Sequence, residues 1–333
     1  MDRTQPTTRI AVVTGASAGV GRASAIEFAR HGWRVALLAR GRDGLEGAKA
    51  EVEAAGGEAM IIEVDVADHR QVEAAADQVE REWGAIDVWV NNAMATIFAD
   101  FMEVDPGDFR RATEVTYLGT VWGTRAALTR MRPRNRGTVV QVGSALAYRS
   151  IPLQAAYCGA KSAIRGFTDS IRTELIHARS DVHITMVQLA AFNTPQFEWG
   201  RTTMDRRPRP MGKIFQPELA ARGVYWAATH RRRELVVGWP ALQAMLGNKV
   251  IPGLLDRKLA ADAVEGQQSD EPLPEGRDDN LYTPVRQPHR THGRFDAQAI
   301  ANSAQFWLTT HRGTVAAAAL GAAALLLGRR RGG

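Results

Sequence analysis

A single cysteine, Cys158, excludes an intrachain disulfide and fits a reducing, cytoplasmic setting. Lysine is scarce as well, 5 of the 42 basic residues, so arginine carries the positive charge. The net charge of +6 is small and spread over most of the chain, which argues against a nucleic-acid partner. Residues 1–9 form a polar tail without the apolar stretch of a secretory signal. No repeat period runs through the chain, so a solenoid is excluded.

What is present is an alternation. Ile10–Thr14, Arg34–Ala39, Ala59–Val64, Ile86–Val90, Thr138–Val142, His183–Leu189 and Leu235–Gly238 are short apolar runs that read as strands. Between them, Arg22–Gly32, Asp43–Ala55, His69–Trp83, Pro106–Met131, Leu153–Ala178 and Glu218–Thr229 carry helical spacing. Strands that alternate with helices of this length imply right-handed crossovers and a sheet covered on both faces. The expected fold is α/β: a doubly wound, Rossmann-type parallel sheet of about seven strands, in a domain over residues 10–264 with a C-terminal extension.

The composition changes beyond Ala263. Glu265–Asn280 is rich in Asp, Glu, Gln and Pro, and residues 265–312 read as a linker, partly disordered. Gly313–Gly328 carries no charge over 16 residues and is followed by Arg329–Arg331. As a helix it would be about 24 Å long, short of the ~30 Å hydrocarbon core. It reads either as a packing helix or as a membrane contact over 313–331 whose arginines sit at the interface.

At the end of the first strand lies Thr14-Gly15-Ala16-Ser17-Ala18-Gly19-Val20-Gly21. Glycines there permit positive φ and close approach to a pyrophosphate, and the following helix offers free N–H groups. A strand before and a helix after make this a dinucleotide signature. NAD-selective folds place a carboxylate at the end of the second strand for the ribose 2′-hydroxyl. Arg40 stands there instead, with Arg42 close by, and a guanidinium suits a 2′-phosphate. NADP(H) is therefore favoured, with NAD(H) the alternative.

Tyr157 and Lys161 are spaced to share one helix face. A free tyrosine is a poor acid–base group at neutral pH, and a nearby cation is expected to lower its pKa. Ser144, at the end of the strand Thr138–Val142, supplies a hydroxyl able to donate to a substrate oxygen on which charge develops.

Together these residues resemble the short-chain dehydrogenase/reductase family over about residues 8–240. The resemblance rests on the Thr14–Gly21 turn, Asp65-Val66, Asn91-Asn92-Ala93, Ser144 and the Tyr157/Lys161 pair. It implies that Gly15, Ser17, Ala18, Gly19, Val20 and Gly21 cradle the cofactor, and that Asp65 and Val66 contact its adenine. Asn92 and Ala93 would line the cleft, Lys161 would bind the nicotinamide ribose, and Thr194 would sit near the carboxamide. Ser144 would polarise a carbonyl and Tyr157 would pass the proton. Three departures stand out: Met94 replaces the last glycine of NNAG, Thr116 stands for the relay asparagine, and Ala190-Ala191 replaces Pro-Gly.

Phe192–Phe215 falls where this family keeps its substrate lid. Phe197, Trp199, Met204 and Met211 suggest an apolar small-molecule alcohol or carbonyl. Arg201, Arg206, Arg207 and Arg209 either solvate the loop or attract an acidic group. Residues 95–102 and 145–152 are expected to add apolar wall. The resemblance further implies a homodimer or homotetramer through the long fourth and fifth helices. Two other readings stay open: an NADP(H) sensor without turnover, and a membrane-tethered scaffold.

Overall fold

A computed structural model describes residues 8–317 of the chain. Its centre is a seven-stranded, all-parallel sheet: β1 (Ile10–Thr14), β2 (Arg34–Ala39), β3 (Glu58–Glu63), β4 (Val88–Asn91), β5 (Thr138–Val142), β6 (His183–Leu189) and β7 (Glu234–Val237). The order across the sheet is β7-β6-β5-β4-β1-β2-β3, so the winding reverses between β1 and β4. The crevice beyond their carboxyl ends is where such sheets take a ligand.

Period-two alternation decides which side chains serve which layer. Val13 and Leu37 face a core that holds Phe28, Leu45, Val52 and Val224. These come from α1 (Gly19–Arg30), α2 (Arg42–Ala54) and α7 (Pro217–Thr229), counted with α3 (His69–Trp83), α4 (Pro106–Thr113), α5 (Gly119–Met131) and α6 (Ala155–His177). Val12 and Leu38 face the opposite core, with Val72 and Val79 of α3 and Ala127 and Met131 of α5. Both faces are thus covered, and the strands read as continuous apolar runs for that reason.

The helical stretch expected over Pro106–Met131 is interrupted. Glu114–Leu118 forms a wide π-type turn between α4 and α5. Inside it the buried Thr116 hydroxyl accepts from Ala95 N at 2.9 Å and donates to Ala95 O at 3.0 Å. Gly119 then brings the chain against Val66, where a Cβ would come within 2.7 Å of a methyl group.

After β7 the chain makes two helices that the sequence pattern does not reveal, α8 (Trp239–Val250) and α9 (Pro252–Gly266). Trp239, Leu246, Val250 and Leu254 are exposed on them, so no one-sided apolar stripe marks them out.

Residues 265–312, read from composition as a linker, lie against the domain. Gln268–Pro272 pairs antiparallel with Arg206–Pro208 of the lid region, and α10 (Ala304–Thr310) docks through Gln305, which bonds both Gly238 N and Val236 O. Leu281 and Gln267 are fully buried, and Val285 and Phe295 nearly so. These anchors are single residues without helical or strand period, so the fold-back leaves no pattern in the sequence. Among the described residues no helix is long and apolar enough to cross a membrane. The apolar segment 313–331 falls outside the described residues from position 318 onward.

Candidate active site

The Gly-rich turn is shaped by close backbone approach. Gly15 has φ +66°, and a Cβ on it would meet Ala93 Cα at 2.8 Å. A Cβ on Gly21 would sit 2.2 Å from Gly15 O, so α1 can start this close to the turn only with glycine there. Asn92 ties the turn to β4: its Nδ2 donates to Thr14 O at 2.9 Å, and its main-chain N–H donates to Thr14 Oγ1 at 2.9 Å. Its neighbour Asn91 points into the core, bonded to Trp89, Thr124 and Gln141. Asn91 is a structural residue.

One cavity of about 470 Å³ runs from this turn to the ends of β5 and β6. Gly15, Ser17, Ala18, Gly19 and Val20 line one end, together with Arg40, Asp65, Val66, Asn92 and Ala93. Ser144, Tyr157 and Lys161 line the other, and Thr194 lines the cavity beside Gly19. Of the residues expected to bind cofactor or take part in catalysis, Gly21, behind the turn, and Thr116, in its π-type turn, are absent from the wall, as are Asn91, Arg42, Met204 and the lid arginines among the others singled out. The donor of the Thr116 hydroxyl is committed to Ala95, so it has no hydrogen left to hand to a relay.

Tyr157 and Lys161 occupy the first two turns of α6. Lys161 Nζ donates to Val142 O at 2.6 Å and stands 5.6 Å from the centre of the Tyr157 ring. Burial lowers the Lys161 pKa to about 8. The expectation that this cation lowers Tyr157 is not met: enclosure pushes the phenol up to about 12, with only a partial opposing pull from the Ser144 hydroxyl. Nζ is directed at the Val142 carbonyl, and the protein packed around the half-buried tyrosine disfavours its phenolate. Ser144 Oγ accepts from Leu146 N at 3.1 Å, which orients it at the start of a short helical turn.

The substrate end is walled by Met94, Leu146, Ile151, Met211 and Leu259, with Arg149, Gln154 and Lys213 as polar members. Gln154 is held by the fold-back, donating to Gln267 Oε1 at 2.7 Å. Three of the four lid arginines are engaged by acidic side chains. Arg201 pairs with Asp108 and Asp279, Arg206 with Glu265 and Arg207 with Glu271.

Sequence reasoning missed the outer wall. Asn280, Pro284, Val285 and His289 line the same cavity opposite Arg40 and Gly41. Nothing in their composition marks them, and only the three-dimensional fold-back brings them there.

The family profile of short chain dehydrogenases matches residues 9–204. The chain belongs to the short-chain dehydrogenase family. It is therefore an oxidoreductase of that family. The uncharacterized oxidoreductase YxnA of Bacillus subtilis is 30% identical over 276 residues, covering 82% of this chain and 78% of that protein. The 3-dehydrosphinganine reductase of Danio rerio is 32% identical over 219 residues, 63% of this chain and 65% of that one. Among solved structures, a metagenomic short-chain oxidoreductase in complex with NADP superposes with TM-score 0.59 at 27% identity, over 69% of this chain and 96% of its own. The alcohol dehydrogenase of the archaeon Thermococcus sibiricus, complexed with 5-hydroxy-NADP, gives 0.60 at 28% identity, again over 69% and 96%.

The cleft fits a nicotinamide dinucleotide on its own terms. It has a glycine turn at the start of α1 that leaves no room for a Cβ at Gly15 or Gly21, and the Gly19 N–H there is received by Arg290 O at 3.1 Å.

Proposed function

We propose that this enzyme transfers a hydride between NADP(H) and the carbonyl or alcohol carbon of a small apolar substrate, with Tyr157 as the acid/base. The observation that carries this reading is the meeting of Ser144, Tyr157 and Lys161 in one cavity with the glycine cradle. When bound, the nicotinamide supplies or accepts the hydride. Gly15–Val20, Asp65, Val66, Asn92, Ala93 and Thr194 would hold the dinucleotide, with Lys161 at the nicotinamide ribose.

The chain's own groups do the remaining work. Ser144 Oγ donates to the substrate oxygen and stabilises the charge that develops there. Tyr157 Oη gives its proton to that oxygen in reduction and takes it back in oxidation. Its raised pKa keeps the proton on Oη in the empty cleft, so the more basic oxyanion forming on the substrate draws it off, and the Lys161 ammonium close to the ring favours the phenolate once the proton has gone. The apolar wall formed by Met94, Ile151, Met211 and Leu259 excludes water and selects an apolar substrate.

Arg40 supports the 2′-phosphate. No carboxylate faces the ribose from the end of β2, and two of the five N–H donors of this guanidinium remain after its bonds to Asn280, Leu281 and Tyr282. A homodimer or homotetramer through the faces of α5 and α6 fits the family, and sedimentation equilibrium tests it. For the reaction, a panel of alcohols and carbonyls assayed with both cofactors is decisive. Turnover lost in Tyr157→Phe with cofactor binding kept supports the reading, and equal turnover by that variant would overturn it.

A further inference from the structure

The fold-back crosses the cleft as a strap, residues 277–295, and both of its flanks are fixed. Upstream, Gln268–Pro272 pairs with Arg206–Pro208, and Gly276 then turns the chain with φ +66°. Downstream, Gly293 N donates to Asn193 O at 3.2 Å and Phe295 N to Asn193 Oδ1 at 3.0 Å. Gly293 lies so close to the domain that a Cβ on it would meet Thr194 O at 2.6 Å.

Between these flanks the strap takes up donors that a dinucleotide needs. The N–H of Gly19, the first residue of α1, is the kind of group a helix start offers to a pyrophosphate. It donates instead to Arg290 O at 3.1 Å. Arg40, the cation at the end of β2, donates through Nη1 to Leu281 O at 3.1 Å and Tyr282 O at 3.0 Å, and through Nη2 to Asn280 O. Arg111 donates to Leu281 O at 3.1 Å and pairs with Asp65, so the carboxylate on the adenosine side is tied to the same seat. Arg22 donates to His289 O at 2.8 Å. Strap carbonyls and the oxygens of a dinucleotide thus compete for one set of groups.

The seat is firm enough to close and imperfect enough to release. Leu281 is fully buried, and Tyr282 Oη donates to Asp108 at 2.9 Å. Residues 277–295 form neither helix nor strand, however, so lifting them breaks no ladder of backbone bonds. Two polar atoms of the strap, Asn280 Oδ1 and His289 Nδ1, are buried without a partner. The second is packed on α2, where a Cβ on Gly44 would meet it at 2.5 Å. Each is a standing penalty on the closed strap that contact with water removes.

We propose that the strap is an autoinhibitory segment, which occupies the adenosine half of the cleft in the free enzyme and lifts from its seat when the dinucleotide binds. This rests on the cleft being a dinucleotide site as read above. Arg40 then has two alternating tasks, anchor of the closed strap and cation at the ribose of the bound cofactor. Apparent affinity equals intrinsic affinity scaled by the fraction of molecules whose strap is open. The strength of the seat therefore sets the dinucleotide concentration at which the enzyme fills.

The test reads binding and protease access on the full-length protein. Leu281→Ala and Tyr282→Phe loosen the seat through side chains that do not line the cavity. Calorimetric titration with NADP⁺ and NAD⁺ is expected to show tighter binding, roughly 10- to 100-fold in Leu281→Ala and roughly 2- to 10-fold in Tyr282→Phe. Tyr282 is half-exposed, so its variant keeps the fold even where Leu281→Ala weakens the domain. In wild type, saturating dinucleotide is expected to speed tryptic cleavage after Arg286 and Arg290. Unchanged or weaker binding by Tyr282→Phe would overturn the proposal. So would cleavage slowed by dinucleotide, the mark of a strap that clamps a bound cofactor. Absence of binding in the wild type and in both variants would instead sink the dinucleotide reading of the cleft, and the strap's role with it.

Discussion

Lys161 Nζ is bound to the Val142 carbonyl at 2.6 Å while standing 5.6 Å from the centre of the Tyr157 ring. The ammonium is thus fixed by the end of β5, the strand that also leads to Ser144. One strand end sets the position of both groups that flank the tyrosine.

The division of labour predicts separable losses. Tyr157→Phe lowers kcat about 10²- to 10⁴-fold with little change in dinucleotide affinity. Ser144→Ala lowers it about 10²- to 10³-fold. Steady-state kinetics beside calorimetry check both, and a parallel loss of affinity would count against these roles.

Stability should vary with pH in a defined sense. Lys161 titrates at 10.5 ordinarily and at about 8 when folded, so between those values the unfolded chain holds a proton that the folded chain has released. Stability therefore rises with pH through that window, and the penalty of burying the ammonium is full below pH 8. Tyr157, raised from 10.0 to about 12, makes stability fall again between those values. Lys161→Met should remove the rise, up to about 3 kcal/mol at ~1.4 kcal/mol per pH unit. Denaturant midpoints measured across pH 7–10 decide it.

Arg40→Ala should act twice. On the proposed reading it removes the charge that would face a 2′-phosphate, so any preference for NADPH over NADH should fall about tenfold or more. It also frees three strap carbonyls, so trypsin cuts after Arg286 sooner even without nucleotide. An unchanged cofactor preference would refute the phosphate role while leaving the anchor role to the protease result.

Thr116 is expected to matter for stability more than for chemistry. Thr116→Val removes both bonds to Ala95 and should cost about 1–3 kcal/mol, seen as a lower Tm. The kcat of the folded variant should change little. A loss of kcat comparable to that of Ser144→Ala would restore Thr116 to the relay.

The parts of the site on regular elements were legible from residues alone. The Gly15–Gly21 turn, Ser144 and the Tyr157/Lys161 pair sit where strand meets helix, and apolar periodicity locates those junctions. Tyr157's raised pKa was not legible, because it depends on how tightly α6 is sealed against the cleft. The π-type turn at Thr116 was hidden for a related reason: one extra residue in a helical stretch barely disturbs the spacing. The strap was read as a linker because its anchors, Leu281, Val285 and Phe295, are isolated and its bonds run through carbonyls. Those bonds use no side-chain code.

The strap's partners are separated by very long stretches of chain: 241 residues between Arg40 and Leu281, and 267 between Arg22 and His289. Contacts of that span close late, since the loop must be ordered before they return any stabilisation. During synthesis the sheet through β7 is already outside the ribosome when residues 277–295 emerge, and domains fold as units in that order. The newborn enzyme thus passes through a stage with a complete Rossmann sheet and an open nucleotide crevice.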